Sequence, residues 1–199
     1  AVTQRVGMSK ISNYYGTRCY SNAAEATAVF GAAGGTAFTN TCHDFEKELY
    51  GKAALANETS GSVSGGSEST RYFASVLAKH EAGIVPGTYG DKQGLRLNLD
   101  QHVSSKFTIA LSSDLIHNHN DRGITNNENN GSPAQAALSS MPSFIDYRGV
   151  CPDGSRVANP GKPCKGVVYP STAPYAFSNP FQTVAQVFST HVSVMSEPE

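Results

Sequence analysis

Apolar and polar positions alternate with a period of two over four stretches: Glu58–Ser64, Thr70–His80, Gly94–Val103 and Lys106–Ile116. The third is the clearest. Leu95, Leu97, Leu99 and Val103 fall on one side, and Arg96, Asn98, Asp100 and His102 on the other. Phe107, Ile109, Leu111 and Leu115 continue the apolar side in the fourth. Successive side chains of an extended strand point to opposite faces, so this pattern predicts β-strands with one apolar and one polar face. Strands three and four are joined at the tight turn "SSK", and strands two and three by the longer link "EAGIVPGTYGDKQ". A final strand is expected over Gln186–Met195. The last three of the four stretches run to ten or eleven residues, long for a soluble sheet. They match a tilted membrane strand of about 9–11 residues. A soluble sandwich shows the same alternation.

Outside these stretches the expected elements are few. Asn22–Phe30 predicts a short helix capped by Asn22, with Glu25 three residues on and Gly34-Gly35 closing it. Residues 43–52 read as a second short helix or a turn. After Ile116 the alternation stops, and "HNHNDRGITNNENNGSPAQ" is expected to be a loop. The expected organisation is a small-residue-rich segment over 1–56 and a β-region over 57–199. The fold class is therefore all-β and antiparallel, with long loops and little helix.

Composition narrows the function classes. Only 16% of the 199 residues are charged, 15 Lys+Arg against 16 Asp+Glu, for a net charge of −1. Without a basic block, nucleic-acid binding driven by phosphate neutralisation is not expected. No run approaches the 18 or so apolar residues of a spanning helix. The opening run "AVTQRVGMSK" has no apolar core, so no signal peptide is expected in it. Cys151 and Cys164 bracket the Pro/Gly-rich "PDGSRVANPGKP", and Cys19 and Cys42 flank a small-residue segment. Two disulfides, 151–164 and 19–42, are the expectation, pointing outside the cytoplasm; the alternative is four unpaired thiols.

Candidate chemistry is sparse. His117 and His119 in "HNHND" would point to one side of an extended chain, with Asp121 nearby, which suits a transition metal. The blander reading is a solvated loop. Ser62 and Ser64 in "GSVSGG" fail the spacing of a nucleophile elbow. Asp44, Glu46 and Glu48 could work as paired carboxylates, but Lys47 and Lys52 beside them favour an ordinary charged surface. No phosphate-binding, dinucleotide-binding or zinc-protease motif occurs, and no cofactor or enzyme activity is expected. Arg122, Asn126, Asn127 and Asn129 lie in an amide-rich run suited to sugar hydroxyls, although Asn and Gly there also serve turns.

Five segments occur in order: "SVSGGSESTRYFASVLAKHEAGIV", "KQGLRLNLDQHVSSKFTIALSSDLIHN", "DRGITNNENNGSP", "PSFIDYR" and "NPFQTVAQ". Together they resemble the barrel portion of TonB-dependent outer-membrane transporters of the SusC/RagA-like group, over roughly residues 44–190. The resemblance implies an outer-membrane protein for glycan or peptide uptake, TonB-type energy coupling and a lipoprotein partner that captures substrate. It also places the amide-rich run near the extracellular end. A whole transporter of this type is several times longer, with a plug inside a barrel of about twenty-two strands. The chain is therefore expected to be a fragment that does not transport alone and that self-associates through open strand edges. Two other classes stay open: a secreted β-rich binding or self-assembling protein, and a small extracytoplasmic hydrolase without a local motif.

Overall fold

The computed structural model describes residues 1–123, 141–175 and 179–196. Six antiparallel strands form one open meander in chain order. They are β1 (Val2–Ser9), β2 (Ala54–Gly66), β3 (Thr70–Ala82), β4 (Tyr89–Ser104), β5 (Phe107–Gly123) and β6 (Val187–Ser196). Among the described residues the helices are α1 (Ala23–Ala37), α2 (Phe45–Tyr50) and α3 (Pro180–Val184). The all-β antiparallel expectation holds.

Three elements depart from the sequence reading. β1 lies in the N-terminal segment and pairs with β2 from Val2↔Gly61 to Ser9↔Ala54. β5 does not stop at Ile116 but runs to Gly123, taking in "HNHNDRG". That stretch is polar on both sides, so alternation is blind to it, yet ladders to β4 and β6 satisfy its backbone on both edges. Helix α1 also outruns its expected end. Asn22 caps it, accepting from the Glu25 amide at 2.8 Å. The chain breaks at Gly31 (φ +71°) and resumes helical geometry to Ala37.

The register assigns every strand residue to a face. On one face stand Val2, Val6, Met8, Leu55, Val63, Tyr72, Val76, Leu95, Leu97, Ile109, Leu111 and Met195, all exposed. The opposite face carries Arg5, Glu58, Ser60, Ser62, Lys79, Arg96, Asn98, Asp100 and Ser112. It is cross-linked by polar contacts such as Arg5–Glu58 (3.4 Å) and Ser112 to Asn98 (2.9 Å). The division is incomplete: Leu77, Ile116 and Val194 are linked through Gly94 in one cross-strand row on the polar side, Phe73 also lies there, and Val192 and Val194 are exposed.

The two ends of the sheet also differ. At one end β2–β3 and β4–β5 turn over through residues 67–69 and 105–106. At the other lie the connections 10–53, 83–88 and 124–186. The buried core belongs to this second end, not to the sheet. Phe45, Leu49, Met141, Tyr147, Phe181 and Val184 form it, with Val85 of the β3–β4 turn packed against it. Gly87 (φ +85°) allows that turn to meet Gly161, whose backbone lies 3.1 Å from where a Gly87 Cβ would stand. The cluster is stitched together by His43 N to Ser143 O (2.7 Å), Thr39 Oγ1 to Phe144 O (2.7 Å) and Asn179 Nδ2 to Tyr147 O (2.9 Å).

Both expected disulfides are present, Cys19–Cys42 and Cys151–Cys164. Each closes a loop of this end, across 23 and 13 residues. Constraining loops of that size stabilises by about 3 kcal/mol each. A chain with all four cysteines changed to serine is expected to lose the loop-end cluster at a lower urea concentration. Near-ultraviolet circular dichroism of its buried tyrosines checks this; an unchanged midpoint would show that the bridges carry no stability.

Candidate functional site

The long-connection end carries a polar row on the apolar face of the sheet. There the apolar residues give way to His80 on β3, Tyr89 and Asp91 on β4, His117, His119 and Asp121 on β5, and Ser189, His191 and Ser193 on β6. Pairing sets this row: His80↔Asp91↔His119↔His191 are successive cross-strand partners. Their side chains therefore share a face and meet. His80 Nδ1 bonds Asp91 Oδ1 at 2.5 Å. The Tyr89 ring sits between His80 and His119, at centroid distances of 5.6 and 5.2 Å.

His119 is the best held of the row. Its Nε2 lies 3.1 Å from Asp121 Oδ1, and both side chains are largely buried, at 20% and 12% exposure. Asp121 also accepts from Ser189 Oγ at 2.5 Å. The His119 ring stacks on His191 at 3.9 Å and 13°, while His117 stands 6.1 Å from His191. His117 Nδ1 bonds Ser193 Oγ at 2.7 Å. Serine, histidine and aspartate are thus all present, but not as one relay, because Ser193 meets His117 while Asp121 meets His119.

The histidine pair singled out in the sequence is therefore on a strand, facing one way, with Asp121 on the same side. His191, far along the chain, completes the row and had no local signal. Among the described residues, no group of three or more His, Cys, Asp or Glu side chains is arranged to hold a metal in this conformation. Arg122 stands exposed near the end of β5, on the opposite face by register from His119 and Asp121. Asn126, Asn127 and Asn129 lie outside the described residues.

The carboxylates at 44, 46 and 48, in the 10–53 connection, serve structure. Asp44 caps α2 through the Lys47 amide (3.2 Å) and Glu46, only 5% exposed, accepts from the Gly16 amide (3.0 Å). Glu46 is thus not the surface charge that its neighbours suggested. Glu48 pairs with His43 at 3.3 Å; burial pushes its carboxyl above the ordinary value, against the pull of His43 and Arg148. Burial would likewise raise Asp146, but the forked bonds from Arg148 (3.0 and 2.8 Å) outweigh it and hold the carboxyl low. Tyr147 is buried with its hydroxyl unpartnered, and burial pushes its phenol up.

Compared with protein-family models and with curated proteins, the chain matches none. The site is read from its own geometry.

Proposed function

We propose that this chain is a sector of an outer-membrane β-barrel wall, and that it is part of a TonB-dependent transporter of the glycan- and peptide-uptake type. The observation that carries the barrel reading is the two-faced sheet. One face exposes many apolar side chains, among them Val2, Val76, Leu95, Leu97 and Leu111, while the other carries most of the charged and amide side chains of the central strands. In water such a face would need a cover; in a bilayer it is already solvated by lipid, and the polar face lines a lumen.

The dimensions agree. On β5 the apolar residues run from Phe107 to Leu115. At about 3.3 Å per residue and a tilt of about 40°, that stretch stands about 20 Å tall, close to the lipid band of such barrels. The rest of β5, from His117 to Gly123, then projects into water at the end that bears the long connections. Short turns on one side and long loops on the other are the barrel arrangement, with the long loops extracellular. Two disulfides suit that side. Among the described residues no helix is long and apolar enough to cross a membrane; a barrel crosses with strands.

The narrower reading, a transporter of glycans or peptides served by TonB-type coupling and a capturing lipoprotein, rests on the sequence resemblance alone. Its test is genetic. The reading frame around this chain should continue into a plug upstream and into further strands, and the longer product should fractionate with the outer membrane. A frame that ends near residues 1 and 199 would overturn it in favour of a secreted, self-assembling β-protein.

Among the described residues β1 pairs only with β2 and β6 only with β5, which leaves two open edges. The isolated chain without detergent is therefore expected to associate through β1 and β6. Light scattering at micromolar concentration should give oligomers, and a monodisperse monomer would count against it.

A further inference from the structure

We propose that the recess over Gly94, on the polar face of the sheet, binds a small organic anion: a carboxylate with a short apolar body. The inference rests on the β3–β4–β5 register and holds whether or not the sheet belongs to a barrel.

Three observations carry it. The first is the glycine. Gly94 stands in mid-strand, between Leu77 on β3 and Ile116 on β5. Glycine inside a strand often marks a bulge, or the close approach of a ligand or another backbone. The pairing runs through Leu77↔Gly94↔Ile116 without a register shift, and Gly94 is not among the glycines with positive φ. A Cβ there would meet only ordinary contacts, Leu77 Cβ at 3.6 Å and the Leu115 carbonyl at 4.0 Å. No other segment among the described residues comes within 4 Å of that position. Neither backbone conformation nor crowding therefore calls for glycine. Its missing side chain instead opens a recess of about 220 Å³, bordered by Leu77, Lys92, Arg96, Asp114 and Ile116.

The second is shape. Leu77 and Ile116 flank the gap on either side, and Val194 extends their row on β6. These apolar walls gain by exchanging water for an apolar body. The recess has the space of about seven water molecules, which suits a single ring or a short alkyl chain.

The third is charge. Lys92 and Arg96 lie two residues to either side of Gly94, on the same face, and both border the recess. On this face Arg5 pairs with Glu58 (3.4 Å) and Lys79 with Glu81 (2.8 Å), but among the described residues neither Lys92 nor Arg96 makes an ion pair. The direct cross-strand partners of Lys92 are Lys79 and Asn118, neither of them acidic. Arg96 faces Asp114 across the ladder. The Lys92 end is thus left with a surplus positive charge, and the Arg96 end is balanced. A carboxylate is drawn to the Lys92 ammonium, to which a charged acceptor makes the stronger hydrogen bond. Its apolar body then lies over Gly94, between Leu77 and Ile116.

The test uses the purified 199-residue chain in an uncharged detergent, titrated with para-fluorobenzoate and followed by fluorine NMR line broadening. The expected result is saturable broadening with a millimolar Kd, absent with detergent alone. The neutral isostere para-fluorobenzamide should bind at least fivefold more weakly. Gly94→Val, which fills the recess, and Lys92→Gln, which removes the surplus charge, should each weaken binding at least fivefold. Lys92→Arg should retain it. Arg71→Gln removes a cation of the same face outside the recess and should leave binding unchanged. The comparison of benzoate with benzamide uses the unaltered chain, so it stands even where a variant misfolds. No saturable broadening by para-fluorobenzoate, equal binding of the two probes, or undiminished binding by Gly94→Val or Lys92→Gln would overturn the proposal.

Discussion

Replacing Phe45 with alanine is expected to destabilise the loop-end cluster by about 3–5 kcal/mol. Phe45 is wholly buried at the start of α2 and meets Tyr147 at 5.9 Å and Phe181 at 6.1 Å between ring centroids. Those two rings come from the second long connection. One side chain therefore joins segments that chain order keeps far apart. The aromatic area that leaves contact is large, and the surrounding chain is pinned by two disulfides, so the cavity has little freedom to collapse. Val29→Ala, at a side chain 46% exposed on α1, is the control and should change little. A urea titration followed by near-ultraviolet circular dichroism reads the cluster; the far-ultraviolet β-signal reads the sheet. The expected outcome is an early loss of the first with the second retained, because the core residues and the hydrophobic side chains packed against them, Val85 of the β3–β4 turn among them, all lie outside the strands. Coincident loss of both signals would mean that cluster and sheet fold as one unit.

How far this architecture could be read from residue order depended on where each part keeps its partners. The central strands were legible because their two faces meet different surroundings. Leu95, Leu97 and Leu99 against Arg96, Asn98 and Asp100 is a period-two pattern that no helix would bury. β1 escaped because Gln4 interrupts Val2, Val6 and Met8, leaving only eight residues with a broken pattern. The end of β5 escaped for the opposite reason. His117 to Asp121 are polar on both faces, so hydrophobicity carries no information there, and backbone pairing alone extends the strand. His117 and His119 were correctly placed on one side, since that follows from extended geometry. Their cross-strand neighbour His191 was not, because register between strands joined by 63 residues, 124–186, is set by the whole ladder rather than by any local residue. The aromatic core of the loop end is the extreme case. Phe45, Tyr147 and Phe181 come from three segments without periodicity, and only the tertiary fold makes them a core.

Leu97→Arg and Asn98→Arg, one residue apart, are expected to differ by about 2–4 kcal/mol when the sheet sits in a bilayer. Leu97 stands mid-way along the apolar face, flanked across the strands by Ala74 and Ser113, and is 39% exposed. Asn98 is its neighbour on the other face, bonded to Ser112. The introduced side chain and its place along the strand are nearly the same for both, and Asn98→Arg alone gives up a side-chain hydrogen bond, so a larger penalty for Leu97→Arg points to the medium on its face. If lipid covers the Leu97 side, a guanidinium there must lose its hydration or thin the bilayer, since the middle of the band is too far from water for the side chain to snorkel freely. On the Asn98 side the same guanidinium enters a polar, wet surface beside Asp100 and Asp114 and costs little. If the sheet were instead exposed to water on both faces, each change would be nearly neutral. The measurement is the urea midpoint of the chain in phospholipid vesicles, followed by far-ultraviolet circular dichroism, alongside the same titration in detergent-free buffer. A large penalty for Leu97→Arg that appears only with lipid identifies the aliphatic face as the membrane face. Equal midpoints for the two variants in vesicles would remove the main support for a barrel wall and leave the apolar face to be covered by protein.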